Sequence, residues 1–224
     1  MDCPDCILSK LQASLRRMQL SKDDYSKLQA LQAVFRGLSH KGGRAFYGDE
    51  QVPVFSNGMS TPCLMPDSDS ELVRHITAHE DLLQHIARRV MPRVASKPPC
   101  IKMHILMQRR KTKQRVHSDN PGRHRRSAYW TVGLGPDHTT ALSTDVGFVV
   151  PQRPDVLFAW DAEHAHFGSA VDSVFRVFIV VSRPSVVDAN DAYVPVLEMP
   201  MRRRWSLPAR RPAVAPEKLT SGTA

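Results

Sequence analysis

From Ile101 to Ser182 the chain breaks into short apolar runs separated by turn residues, at 101–107, 114–119, 127–134, 139–142, 146–150, 155–160 and 174–182. Helices in globular proteins need ten or more residues of 3.6-residue periodicity. Runs this short, spaced at roughly 8–12 residues, predict strands that close into an all-β sandwich or barrel. No internal repeat divides them. A chain of 224 residues is long enough to bury a core, and one domain with short extensions is expected.

The first third has a different period. Leu8, Leu11, Leu15 and Met18, then Tyr25, Leu28, Leu31, Phe35 and Leu38, recur at helical spacing and predict helix over 5–38. Ser21 with Asp24 three residues on reads as an N-cap, and Gly42 and Gly43 end the pattern. Residues 44–67 are rich in Gly, Pro and Ser, with strand-like pieces at 44–47 and 52–55. A second helix is expected from the Asp67–Ser70 cap to about Val90, with the stripe Leu72, Ile76, His79, Leu83, Ile86 and Val90, stopped by Pro92. The organisation expected is a helical supporting region at 1–95, a β core at 96–199 and a basic, flexible tail at 200–224.

Charge and cysteine usage bound the setting. The net charge is +9, and Lys102–Arg126 holds nine Lys or Arg against Asp119 alone. Arg202, Arg203, Arg204, Arg210 and Arg211 form a second basic cluster. Segments 102–126 and 201–211 suit an acidic partner such as nucleic acid as well as they suit a plain solvated surface. No apolar run approaches the roughly 20 residues that span a bilayer. The start at Met1 lacks the basic and apolar stretches of a signal peptide. The four cysteines are therefore expected to stay reduced in a cytoplasmic or nuclear compartment. Cys3 and Cys6 form a Cys-x-x-Cys pair, but Cys63 and Cys100 are isolated, so a structural zinc site is disfavoured.

Within the β region lie His117, Ser118 and Asp119, then His164 and His166, then Arg176. Ten His and sixteen Asp in 224 residues give about 0.7 His-x-Asp triplets by chance, and a second one, His79-Glu80-Asp81, is present. Geometry separates the two. In a helix residues i and i+2 diverge by about 200°, whereas in a strand they share a face. Only His117 and Asp119 can therefore point at one atom. A later His on a neighbouring strand would complete the two-His-one-carboxylate face that holds ferrous iron with open positions. Either His164 or His166 can serve, since both stand on strand-like spacing.

The stretch from Phe148 to Trp160 reads as strand, turn, strand, followed by His166, Gly168 and the run Phe175–Val181. With the His-x-Asp triplet it resembles the double-stranded β-helix (jelly-roll) core of iron(II)- and 2-oxoglutarate-dependent oxygenases, in particular their prolyl-hydroxylase-like branch. The resemblance covers about residues 100–183. Pro151–Phe158 stands where that family has a strand pair, with Pro154 in place of its Gly. Arg126–Leu134 resembles the strand that follows His-x-Asp. Two positions depart from the pattern. Met107 and Gln108 occupy the region where the family often carries a Tyr, and Phe178 stands where some branches have a Ser beside the Arg.

The resemblance implies an α+β fold: a jelly-roll core with N-terminal supporting helices. It implies Fe(II), 2-oxoglutarate and O2 as cofactor and cosubstrates, with His117, Asp119 and His166 as metal ligands. Arg176 would clamp the distal carboxylate of 2-oxoglutarate, with a hydroxyl from Tyr129 or Thr131 as helper. Trp130, Trp160 and Phe148 are candidates to line the pocket, against plain core packing for each. The reaction implied is hydroxylation or demethylation of a substrate, with a protein side chain as the suggested class. Two other functions fit the sequence: a non-catalytic jelly-roll module binding nucleic acid or protein through the basic segments, and a cupin-like metalloenzyme without 2-oxoglutarate. His75 and His79, at i and i+4, have chelating spacing, but His79 sits on the apolar stripe and is expected to be packed.

Overall fold

A computed structural model describes residues 15–56, 61–91, 100–108, 116–117, 129–135, 140–142, 148–150, 156–161, 165–168, 174–182 and 196–200. The 200–224 tail, apart from Pro200, lies outside these residues, as do Cys3 and Cys6. Among the described residues three helices pack on one face of a large antiparallel sheet, and a small sheet accompanies its other face. The fold class is α+β with a jelly-roll core, as the strand order makes plain.

That order is read from eight segments: β7 (Cys100–Met107), the bridge residue His117, β8 (Tyr129–Gly133), β9 (Thr140–Leu142), β10 (Phe148–Val150), β11 (Val156–Asp161), β12 (His166–Gly168) and β13 (Phe175–Ser182). The large sheet takes β7, β8, β11 and β13, in the spatial order β11-β8-β13-β7. The small sheet takes β9, β10 and β12 in the order β10-β9-β12, and His117 bridges onto β12. Successive strands thus cross between two sheets, the wrapping that defines a jelly roll.

The large sheet is extended at both sides. β1 (Leu15–Gln19) pairs with β11, and β5 (Val54–Phe55) and β6 (Cys63–Leu64) continue beyond the end of β7. β14 (Leu197–Pro200) pairs with the start of β7, Pro200 opposite Cys100. Residues 15–19 correct the expected helix over 5–38. Their helical spacing competes with a full antiparallel register on β11, from Leu15 opposite Trp160 to Gln19 opposite Val156, and tertiary pairing prevails. Residues 1–14 lie outside the described residues.

The first helix, α1 (Lys22–Arg36), begins at the expected cap: Ser21 Oγ accepts from the Asp24 N–H at 3.0 Å, with Asp23 and Asp24 favouring the positive helix end. It stops earlier than expected. Gly37 lies against Tyr47, where a Cβ would come within 2.8 Å of a ring carbon. Leu38 then opens a three-stranded meander, β2 (Leu38–Lys41), β3 (Arg44–Tyr47) and β4 (Glu50–Val52). Gly42 and Gly43 have φ of 56° and 80°, so they form a two-residue hairpin turn rather than a helix stop.

The helix expected over 67–90 is two helices, α2 (Glu71–Thr77) and α3 (Glu80–Val90). Ser70 caps the first by accepting from the Val73 N–H. Thr77 turns its hydroxyl back onto the Val73 carbonyl at 2.8 Å, and His79 N–H reaches the Ile76 carbonyl, three residues back. That tightened turn breaks the rod while preserving its stripe: Leu72, Ile76, Leu83, Ile86 and Val90 are all buried. Arg16 of β1 donates to the Val90 carbonyl, and Arg89 to the Gln19 carbonyl, tying the end of α3 to β1.

The core lies between the helices and the large sheet. Ile101, Met103 and Ile105 of β7 and Val177, Ile179 and Val181 of β13 point into it with the helix stripes. Each such buried aliphatic contributes about 1.5–3 kcal/mol by leaving water. By strand alternation the even-numbered residues of β7 and β13 face the opposite way, into the space toward the small sheet. They too are largely buried, which explains why β13 reads as one continuous apolar run. Among the described residues no helix is long and apolar enough to cross a membrane.

Candidate active site

His117 and His166 are bound to each other through their backbones. His117 N–H donates to the His166 carbonyl at 2.9 Å, and His166 N–H to the His117 carbonyl at 2.8 Å. Residues that exchange both bonds stand directly opposite, with side chains on the same face. The two imidazole rings lie 4.5 Å apart between centroids, inclined at 50°. His166 is buried and His117 exposed, so the pair runs from the interior toward solvent.

Trp160, on β11 of the large sheet, comes within 5.6 Å of the His166 ring. Its register partner Thr131 is opposite Val180, so Trp160, Thr131, Val180 and Phe178 belong to the inward face of the large sheet. Both Trp160 and Thr131 are buried there, and among the described residues the Trp160 indole nitrogen has no hydrogen-bond acceptor. His166 therefore looks across the jelly-roll interior. His104 joins the same face, buried and stacked on Phe178 with ring centroids 5.2 Å apart.

Trp130 corrects its sequence expectation. It alternates with Thr131 and so turns to the helix side, where it joins the main core under the Arg16 guanidinium, 4.2 Å from the ring centroid. It does not line the interior that holds His166. Tyr129 opens β8 opposite Ser182, and Phe148 opens β10 opposite Leu142.

Arg176 is the second residue of β13 and is buried on the inward face. Its Nε–H donates to Gln108 Oε1 at 2.5 Å. Burial pushes the guanidinium down to about 10, because a cation removed from water loses hydration. Gln108, itself buried, extends the β7–β13 ladder by one step: its backbone N–H donates to the Val174 carbonyl at 2.7 Å. Gln108 was not among the residues expected to form the site. Its signal was positional: it lies in the stretch before His117 where the resembled family carries a Tyr.

The donor set suits a ferrous ion, since imidazole nitrogen is a ligand iron accepts and two rings stand side by side. Among the described residues no three His, Cys, Asp or Glu side chains gather closely enough to hold a metal. Asp119, the expected carboxylate, lies outside the described residues, and so does His164. The helical His75–His79 pair is otherwise engaged. His75 Nδ1 shares a hydrogen bond with the Tyr47 hydroxyl at 2.6 Å, and His79, half-buried at the start of α3, has its imidazolium disfavoured by burial and then by His75. Burial also pushes the Cys63 thiol up to about 11, which makes it a poor nucleophile and ligand at neutral pH.

No protein-family model matches this chain, and no curated protein matches its sequence. Solved structures do resemble it. EvdO2 from Micromonospora carbonacea var. aurantiaca, also solved with 2-oxoglutarate, is 13% identical, with 86% of this chain and 96% of that one covered at a TM-score of 0.48. A prolyl hydroxylase from Trichoplax adhaerens, in complex with a hypoxia-inducible-factor peptide, is 14% identical over 80% of this chain and 87% of that one, at a TM-score of 0.44. The alpha-ketoglutarate-dependent epimerase SnoN from nogalamycin biosynthesis is 14% identical over 82% of this chain and 88% of that one, also at 0.44. Likeness this distant assigns no chemistry; the jelly roll is defined by this chain's own strand order.

Proposed function

We propose that this protein is an iron(II)- and 2-oxoglutarate-dependent oxygenase that hydroxylates or demethylates its substrate. The observation that carries the reading is the His117–His166 pair: two imidazoles on bridged strands, 4.5 Å apart, one of them facing the jelly-roll interior. Asp119, two residues along the chain from His117, would complete a three-ligand face in the manner of the resembled family. The bound iron would supply oxygen activation coupled to the decarboxylation of 2-oxoglutarate.

The chain's own residues have separable tasks. His117 and His166 would hold the metal through their imidazole nitrogens, with the Trp160 ring beside His166. Arg176 binds the distal carboxylate of 2-oxoglutarate through charge-assisted bonds, which are stronger in a dry site than in water. The inward face of the large sheet excludes water, so that the activated site meets substrate rather than solvent. The proposed substrate is a protein side chain, with the basic segments 102–126 and 201–211 drawing acidic partners.

The test is succinate formation from 2-oxoglutarate with ferrous iron and ascorbate, in the wild type and in His117→Ala. Turnover of 2-oxoglutarate by the wild type and its loss in the variant are expected. A wild type that binds neither iron nor 2-oxoglutarate would overturn the proposal.

A further inference from the structure

We infer that the outer face of the β2–β4 meander binds single-stranded nucleic acid, with a base stacked on Phe46 and phosphates held by Lys41 and Arg44. The inference goes beyond the oxygenase reading and does not depend on it.

The pleat sorts the residues of the meander. Leu38, Ala45, Tyr47 and Val52 turn into the core. Ser39, Lys41, Arg44, Phe46 and Gln51 alternate with them and therefore face the other way. Register sets these five in two rows. Lys41 stands opposite Arg44 at the hairpin end, and Ser39, Phe46 and Gln51 lie side by side across the three strands. Lys41, Arg44 and Gln51 are exposed, and Ser39 and Phe46 half-buried.

The first row calls for an anion. Like charges directly opposite each other repel and destabilise a strand pair. Among the described residues, neither Lys41 nor Arg44 takes part in a hydrogen bond or an ion pair through its side chain. Asp49 and Glu50 sit at the other end of β3, beyond Tyr47 and so about 10 Å or more away, where water and salt screen them. Glu50 Oε2 is also engaged, accepting from the Glu71 N–H at 3.3 Å. Between the two cations the Gly42–Gly43 turn carries no side chain, and no atom comes within 4 Å of where a Cβ would stand. A phosphate can approach the turn unobstructed and relieve the repulsion.

The second row decides which anion. An acidic peptide would use the cations alone. Phe46 follows Arg44 by two positions on the same face, about 7 Å along the strand, which matches the reach from a stacked base to the phosphate of its own nucleotide. The ring offers a surface on which any base can stack, and the Ser39 hydroxyl and Gln51 amide beside it offer donors and acceptors to a base edge. Cations that follow the phosphates next to an aromatic platform hold single strands with little regard to sequence. A duplex keeps its bases stacked inside and cannot use Phe46.

The experiment follows the fluorescence anisotropy of a short fluorescein-labelled oligothymidylate over a series of salt concentrations. The proteins are the wild type, the double variant Lys41→Gln/Arg44→Gln, and Phe46→Leu, with melting curves for each. Loss of both cations is expected to weaken binding at low salt by at least about tenfold. It should also flatten the slope of log affinity against log salt by about 1.4, from two phosphates at about 0.7 each. The melting temperature should hold or rise, because the repulsion across the hairpin is gone. Phe46→Leu keeps an apolar side chain without the ring, and is expected to weaken binding about tenfold with the salt slope unchanged. Unlabelled oligothymidylate should compete far better than polyglutamate. A double variant with wild-type affinity and slope overturns the inference, since binding then resides in other basic segments. A Phe46→Leu protein that binds like the wild type, or polyglutamate that competes as well as oligothymidylate, overturns the nucleic-acid assignment in favour of an acidic peptide. Should Phe46→Leu not fold, the double variant and the competition decide.

Discussion

Replacing Arg176 with methionine is expected to separate binding from folding. Two effects on stability oppose each other. Without the guanidinium, Gln108 Oε1 loses a 2.5 Å donor inside the protein, and a buried acceptor left without its partner costs about 1–3 kcal/mol. Against that, the fold no longer holds a cation out of water, a penalty evident in the guanidinium being pushed down to about 10. The balance is expected to stay within about 2 kcal/mol, or roughly 4–8 °C in melting temperature for a chain of this size. Binding has no such compensation. A bidentate contact to a carboxylate consists of two charge-assisted bonds of about 1.5–3 kcal/mol each. Taking about 3 kcal/mol as the least that is lost, 2-oxoglutarate affinity falls by at least about a hundredfold. Calorimetry on the manganese(II)-loaded protein reads the affinity, and circular dichroism reads the melt. An Arg176→Met protein that melts like the wild type and binds 2-oxoglutarate as tightly would refute the role given to this cation.

Other predictions follow from the same geometry. His166→Ala removes one of the paired imidazoles and is expected to weaken ferrous or manganese binding by more than tenfold, measured by metal titration; unchanged affinity would detach His166 from the metal. The depressed Arg176 carries a pH signature. The folded state gives up this proton more readily than the unfolded chain, so 2-oxoglutarate affinity should fall as pH rises through about 10, while this group's drag on stability is relieved over the same rise. An affinity that is flat across that range would contradict the assignment. Ile179→Ala, at a fully buried position in the middle of β13, should cost about 2–5 kcal/mol in urea denaturation, because the strand is hydrogen-bonded on both sides and cannot collapse onto the void.

Much of the β core was legible because period and length discriminate well there. The runs at 101–107, 127–134, 139–142, 146–150, 155–160 and 174–182 correspond to β7, β8, β9, β10, β11 and β13. The short strand β12 was not legible. His166–Gly168 has no apolar pattern of its own and is a strand only because β9 and His117 bond to it. Residues 15–19 look helical for the converse reason: Leu15 and Met18 mimic a helical stripe, and only the edge of β11 makes them a strand. The break at Ala78–His79 left no trace in the stripe, since the buried face is the same on both sides of it. Trp130 and Trp160 looked alike in sequence, and their opposite facings follow from the parity of the pleat, which needs the register to be known.

The sequence by itself determined the local chemistry: which segments prefer strand or helix, where the Ser21 and Ser70 caps fall, and which side chains can ligate iron or hold an anion. Those properties reside in single residues and short spacings, so they survive without a fold. Tertiary structure alone decided which of them meet. His117 reaches His166 because two strands nearly fifty residues apart exchange backbone bonds, and Gln108 reaches Arg176 because β7 and β13 share one register. Pairing at that range is settled by burial and by backbone hydrogen bonding across the whole sheet, neither of which is written in any short stretch of the chain.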